Sequence, residues 1–170
     1  INEWSGSVLI AGIWEGAIES QINLFKAIIK DTFLSQRFIE SKFEGKKNQK
    51  LSIELIEGKI QKIIFVGLGK AETLRIDDLR KAASIGTRQV SGYERKLGIL
   101  FPWDAFDPSS AACAVGEAVR LSSIKDLRFK SESKEPTPID EVELIGLDAK
   151  ATKSAISEIN PICEGVKFAR

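Results

Sequence analysis

Lys62 to Lys70 reads KIIFVGLGK, and after a short link Ile76 to Val90 reads IDDLRKAASIGTRQV. The first stretch is the most strand-like run in the chain, apolar, rich in isoleucine and closed by two glycines. The second is helical. Asp77 and Asp78 open it, where carboxylates oppose the positive end of the helix dipole. Leu79, Ala82, Ala83, Gly86 and Val90 recur on one face, and the small residues among them let that face lie close to a sheet. A buried strand followed by such a helix is half of a parallel β-α-β unit, and it sets the expectation for the rest.

Upstream, Leu51 to Ile56 alternates Leu51, Ile53 and Leu55 with polar residues, a half-buried strand. The turn Glu57-Gly58-Lys59 pairs it with the 62–68 strand as an antiparallel hairpin. Glu44 to Lys50 (EGKKNQK) reads as a polar loop. Before it, Ile18, Ile22, Phe25, Ile29 and Phe33 stack on one helix face, with Ser35 to Phe43 as a less periodic far end. Ser7 to Trp14 (SVLIAGIW) is a buried strand ended by Glu15-Gly16. Downstream, Lys96 to Phe101 is a strand closed by Pro102. Asp107 caps a helix that has Pro108 at its first position and buries Ala111, Ala112, Val115, Ala118, Val119 and Ser122. Lys130 to Pro138 is a charged loop, and Val142 to Leu147 the last strand. Ala151 to Arg170 is a final helix with Ala155, Ile159, Ile162, Val166 and Ala169 on one face. Pro161 interrupts it, and Asn160-Pro161 can serve as a fresh cap and first turn. The prediction is one α/β domain over residues 1–170, a mixed, mostly parallel sheet with helices on both faces.

Composition narrows function by exclusion. The 170 residues are 43% hydrophobic with a net charge of +1, so no global field favours nucleic acid, an anionic membrane or an acidic partner. Histidine is absent, which excludes His-activated nucleophiles and His-ligated zinc within this chain. Cys113 and Cys163 each lie in an apolar helical pattern and read as buried thiols of a reducing compartment, with one disulfide between them as the alternative. The absence of methionine and the start at Ile1 read as a piece of a longer polypeptide. No apolar run reaches the ~18 residues of a membrane span.

The motifs lean to structural roles. Gly67-Leu68-Gly69-Lys70 stands where phosphate loops stand, between strand and helix, but lacks their spacing and the Ser or Thr after Lys. It also lacks the third glycine of a dinucleotide fingerprint, so a tight strand exit is the better account. Gly146 reads the same way. Asp77 and Asp78 point about 100° apart. Asp104 and Asp107 flank a helix start, and Glu141 and Glu143 share one side of a strand, so no pair is spaced for acid-base work. Lys46, Lys47, Lys50 and Arg75, Arg80, Lys81, Arg88 are interleaved with acids and lack exposed aromatics, as on a solvated surface. Cys113 has no neighbouring base to make it a nucleophile.

Three stretches nevertheless carry a resemblance: Phe65 to Lys70 (FVGLGK), Asp78 to Ala83 (DLRKAA), and Glu164-Gly165-Val166 with Ala169-Arg170. With Gly116-Glu117-Ala118, Arg128-Phe129-Lys130-Ser131 and the VELIGL strand between them, the chain resembles, over essentially its whole length, the N-terminal domain of leucyl (cytosol) aminopeptidases. It departs at Arg75, where the family has a small polar cap, and at Pro161. The resemblance implies a macro-domain-like α/β sheet and a non-catalytic N-terminal domain of a two-metal metalloprotease that releases N-terminal residues from peptides. It implies no catalytic, cofactor-binding or metal residue in residues 1–170, since the family's site lies in a C-terminal catalytic domain absent from this chain. Two divalent metals, zinc or manganese, would sit there. The implied partners are that domain and other copies in a cytoplasmic homohexamer, with neither membrane nor nucleic acid. The macro-like architecture and the Gly67-Gly69 turn raise an alternative, a stand-alone module binding ADP-ribose or a related nucleotide, and nucleic-acid binding through a local basic face ranks behind it.

Overall fold

The computed structural model describes residues 4–16, 18–29, 33–56, 58–90, 96–123 and 139–168. Along them run β1 (Val8–Trp14), α1 (Ile18–Ile29), α2 (Leu34–Glu40), β2 (Lys50–Glu54) and β3 (Lys62–Gly69). Then come α3 (Ile76–Thr87), β4 (Lys96–Leu100), α4 (Pro108–Ser123), β5 (Glu141–Leu144) and α5 (Ala149–Phe168). The strands form a five-stranded sheet in the order β2-β3-β1-β4-β5. β1 pairs parallel with β3 and β4, β4 pairs parallel with β5, and β2 alone is antiparallel, against β3. This is the mixed, mostly parallel sheet that the alternation of strands and helices predicts.

The pleat of β1 and β3 sorts the core into two layers. Val8, Ile10, Ile64, Val66 and Leu68 point to the side covered by α3 and α4. Leu9, Ala11, Ile13, Ile63 and Phe65 point to the side covered by α1 and α2. A strand buried on both faces has no room for polar alternation, which is why these two read as continuous apolar runs. On the α3 side the fit depends on small residues. A Cβ on Gly86 would stand 2.7 Å from Ile10 Cγ2, so the helix lies closer to β1 than any side chain at that position allows. α5 forms an outer layer on α4 through Ala155, Ile159 and Cys163.

Three expectations need correction. The long first helix is two helices, α1 and the short α2, and Phe33 does not continue the α1 stripe but is exposed beside the start of α2. The break sends Leu34 and Phe38 onto the same core as Ile22 and Phe25 from a second direction. α5 runs unbroken through position 161, with no fresh cap at Asn160. Its buried stripe is Ala155, Ile159 and Cys163, whereas Ile162 is exposed; the i, i+4, i+8 row faces α4, and Ile162 falls beside it. The last strand is also shorter than Val142–Leu147, because Gly146 takes φ +85° and turns the chain. The Lys130–Pro138 loop, the 128–131 segment, Glu57 and Ala169-Arg170 lie outside the described residues.

Candidate functional site

In open α/β sheets ligands bind beyond the carboxyl ends of the strands, at the point where neighbouring strands send their helices to opposite faces. Here β1 has such a place on each side, since its helix is on one face and the helices after β3 and β4 are on the other; the β1/β3 gap is the one that carries the glycine motif. Gly67 and Gly69 end β3 there, so the sequence motif and the topological site coincide.

The crevice is occupied by the chain itself. Residues 43–49 cross the strand ends as a strap. The Gly67 N–H donates to the Gln49 carbonyl at 2.9 Å, prolonging the β2–β3 ladder by one rung. The chain then doubles over, and the Gly69 N–H donates to the Gly45 carbonyl at 2.8 Å. On the other side the Glu15 N–H donates to the Gly69 carbonyl at 2.9 Å. The glycines are what the approach requires. A Cβ on Gly67 would sit 2.0 Å from the Lys46 carbonyl oxygen, and one on Gly45 would sit 2.5 Å from that of Trp14. The tight strand exit is therefore a backbone-on-backbone packing site.

Gln49 organises the strap. Its Oε1 accepts from the N–H groups of Glu44 at 2.9 Å and Lys46 at 3.1 Å, and its Nε2 donates to the Lys42 carbonyl at 3.3 Å. Lys47 Nζ donates to Asp78 Oδ2 at 2.7 Å, tying the strap to the first turn of α3. The same carboxylate oxygen accepts the Arg75 N–H at 3.0 Å, so Asp78 caps the helix in place of the side chain that arginine cannot supply. Partial burial pushes the Asp78 carboxyl up. The Lys47 and Arg75 hydrogen bonds and the charges of Lys47 and Lys81 outweigh that and hold it below the ordinary carboxylate value.

The other candidates are dispersed, and most are engaged structurally. Asp77 pairs with Arg80, which also reaches Glu117 on α4 at 3.3 Å. Asp107 Oδ2 accepts the N–H and hydroxyl of Ser110, both at 2.9 Å, and this capping lowers its pKa. Glu141 meets Lys96 at 2.9 Å, and Lys46 pairs with Glu44. Asp104, Glu143, Lys50 and Arg88 are exposed and converge on nothing in common. Cys113 Sγ lies 3.4 Å from Glu158 Oε2, and neither it nor Cys163 is in a disulfide. Burial pushes the Cys113 thiol up and the Glu158 carboxylate adds to it, the opposite of an activated nucleophile. Among the described residues no three His, Cys, Asp or Glu side chains come together to hold a metal ion. The described residues do not fit a two-metal centre. Sequence reasoning missed Gln49 and Gly45, which sit in a loop whose composition looks merely polar.

Comparison with known proteins agrees with the fold. Residues 10–133 match the N-terminal domain of the cytosol aminopeptidase family. A probable cytosol aminopeptidase of Prochlorococcus marinus (strain MIT 9211) is 47% identical over the whole of this chain, which spans 34% of that protein. One from another strain of the same species is 42% identical, with the same 34% spanned. The chain thus covers about a third of the length of these relatives. Among solved structures, a tomato leucine aminopeptidase mutant superimposes with a TM-score of 0.80 at 20% identity, over all of this chain and 35% of that one. The bottromycin maturation enzyme BotP in complex with Mn gives 0.62 at 20% identity, over 93% and 30%. The chain belongs to the cytosol aminopeptidase family, as its N-terminal domain.

Proposed function

We propose that residues 1–170 are the non-catalytic N-terminal domain of a two-metal aminopeptidase, and that the peptide-cleaving centre lies in polypeptide beyond Arg170. The observation that carries this is the 34% span: relatives named as aminopeptidases align along this whole chain and have about twice as much sequence besides. The pairing of acids with lysines, arginines and helix caps supports it, because such carboxylates are not arranged as hard-metal ligands. In this reading residues beyond Arg170 would hold two metals, zinc or manganese, which would supply Lewis-acid chemistry for peptide hydrolysis in that other domain. The present domain contributes packing against that domain and contacts in a homohexamer. Its sheet, with parallel strands, one antiparallel edge strand and helices on both faces, is macro-domain-like in architecture. The relatives' name, cytosol aminopeptidase, supports a cytoplasmic protein, and no described helix is long and apolar enough to cross a membrane.

The test is a side-by-side assay of the full-length protein and residues 1–170 on a leucyl substrate with Mn²⁺ or Zn²⁺ added. The full-length protein should turn over, and the shorter chain should match a mock preparation. Metal-dependent turnover by residues 1–170 well above the mock, or none by the full-length protein, would overturn the proposal.

A further inference from the structure

We propose that the strap of residues 43–49 is an intramolecular plug standing in the ligand position of the β1/β3 crevice, with Gln49 as its latch. The position is one of the two beside β1 where this class of sheet can bind small molecules, and the chain's own peptide groups fill it. The Gly45 carbonyl takes the Gly69 N–H at 2.8 Å, the kind of donor at a strand's end that a phosphate or carboxylate oxygen would otherwise accept from. Gly45 also lies against the Trp14-Glu15 peptide, so the gap between the two strand ends is closed from side to side.

The strap is held by contacts rather than by relaxed local geometry. Lys42 has φ +52°, a left-handed value that its side chain disfavours, and Asn48 φ +68°, one that asparagine adopts more readily, on either side of Gly45 at φ +75°. A segment bent this way persists only where surrounding bonds over-determine it. The three bonds from the Gln49 side chain, to Glu44, Lys46 and Lys42, span that bent stretch from both ends. Lys47, through Asp78, is a second anchor at the rim. The plug explains why a glycine turn in a ligand-binding position lacks the third glycine and the Ser or Thr of phosphate loops: its neighbour is backbone. It stands independently of the peptidase reading, and a full-length protein without peptidase activity would leave it untouched.

Amide hydrogen exchange on the full chain tests it, with Gly69 as reporter. Gln49→Ala should speed exchange at Gly69, Glu44 and Lys46 by about tenfold or more, while α4 amides keep their rates. Unchanged rates at Gly69 would overturn the latch. If the variant loosens everywhere, Lys42→Gly decides: removing a left-handed side chain should slow Gly69 exchange a few-fold, and an equal or faster rate would count against the plug. Calorimetric titration of the unaltered chain with ADP-ribose, and separately with inorganic pyrophosphate, should be flat. Heat of binding accompanied by a change in Gly69 exchange would show an open crevice and end the proposal.

Discussion

The two faces of the sheet reach the same degree of burial by opposite means. Toward α3 and α4 the small residues Ala82, Ala83, Ala111 and Ala118 stand beside Leu79, Val115 and Val119, and Gly86 lets α3 come down close onto Ile10. Toward α1 and α2 the contacts are made largely by rings. Phe25 and Phe38 meet Phe65 edge to face with centroids 5.1 and 4.8 Å away, and Phe38 meets Phe43 at 5.2 Å. A few large groups fill space less evenly than many small ones, and an open groove of about 640 Å³ remains along α1 and α2, rimmed by Ile18 and Ile39. The small-residue face should therefore refuse enlargement, and the aromatic face should suffer from truncation.

The largest effect expected is at the centre of the ring cluster. Phe65→Ala removes a fully buried ring that two others lean on and should lower unfolding free energy by about 3–5 kcal/mol, read by urea denaturation. A loss below about 1 kcal/mol would mean that α1 and α2 collapse into the space and that the faces do not differ as described. On the opposite face Gly86→Ala adds only one carbon, yet places it 2.7 Å from Ile10; a loss of about 1–3 kcal/mol is expected there. Stabilisation by that variant, as helix propensity alone predicts, would refute the close approach.

Smaller again is the tie between strap and helix. Asp78→Asn keeps the shape but weakens the Lys47 bond and the cap on Arg75, for about 0.5–1 kcal/mol at neutral pH after solvent screening. The pH dependence has a definite sign. The folded-state pKa of Asp78 is lowered, so its contribution is present above the ordinary value of 3.8 and fades as pH falls through the lower folded value. The wild-type advantage over Asp78→Asn should shrink in acid denaturation series below about pH 4. Least of all should be Ile39→Ser, at 77% exposure on the groove rim, within about 0.5 kcal/mol by thermal melting. A larger loss would show that the groove is more closed in solution than the α1–α2 spacing allows.

The same contrast marks what the sequence discloses. The strands and α3 are legible because burial on a sheet writes itself as period: Leu51 and Ile53 alternate, and Leu79, Ala82, Ala83 and Gly86 recur on one turn of helix after another. The break between α1 and α2 is not, since Phe33 extends the helical pattern of Ile18, Ile22, Phe25 and Ile29, and only tertiary packing puts it outside and Phe38 at the core. Pro161 removes one hydrogen-bond donor, which an outer-layer helix packed on α4 tolerates without ending. Ile162 is the stronger hydrophobe by composition, yet the geometry of the α4 contact selects Cys163. The strap is the least legible element. Its packing is made by peptide groups far apart in sequence, and nothing in the side chains of Glu44 to Lys50 signals it beyond a glycine and one glutamine.

The central claim, that this domain is one third of an aminopeptidase, is tested most directly by reading the parent gene past the codon for Arg170. The account predicts that the frame continues for about twice the present length and encodes clustered Asp, Glu and Lys residues able to hold two metals. A stop codon immediately after Arg170 would contradict it, leaving a stand-alone domain whose peptidase label fails.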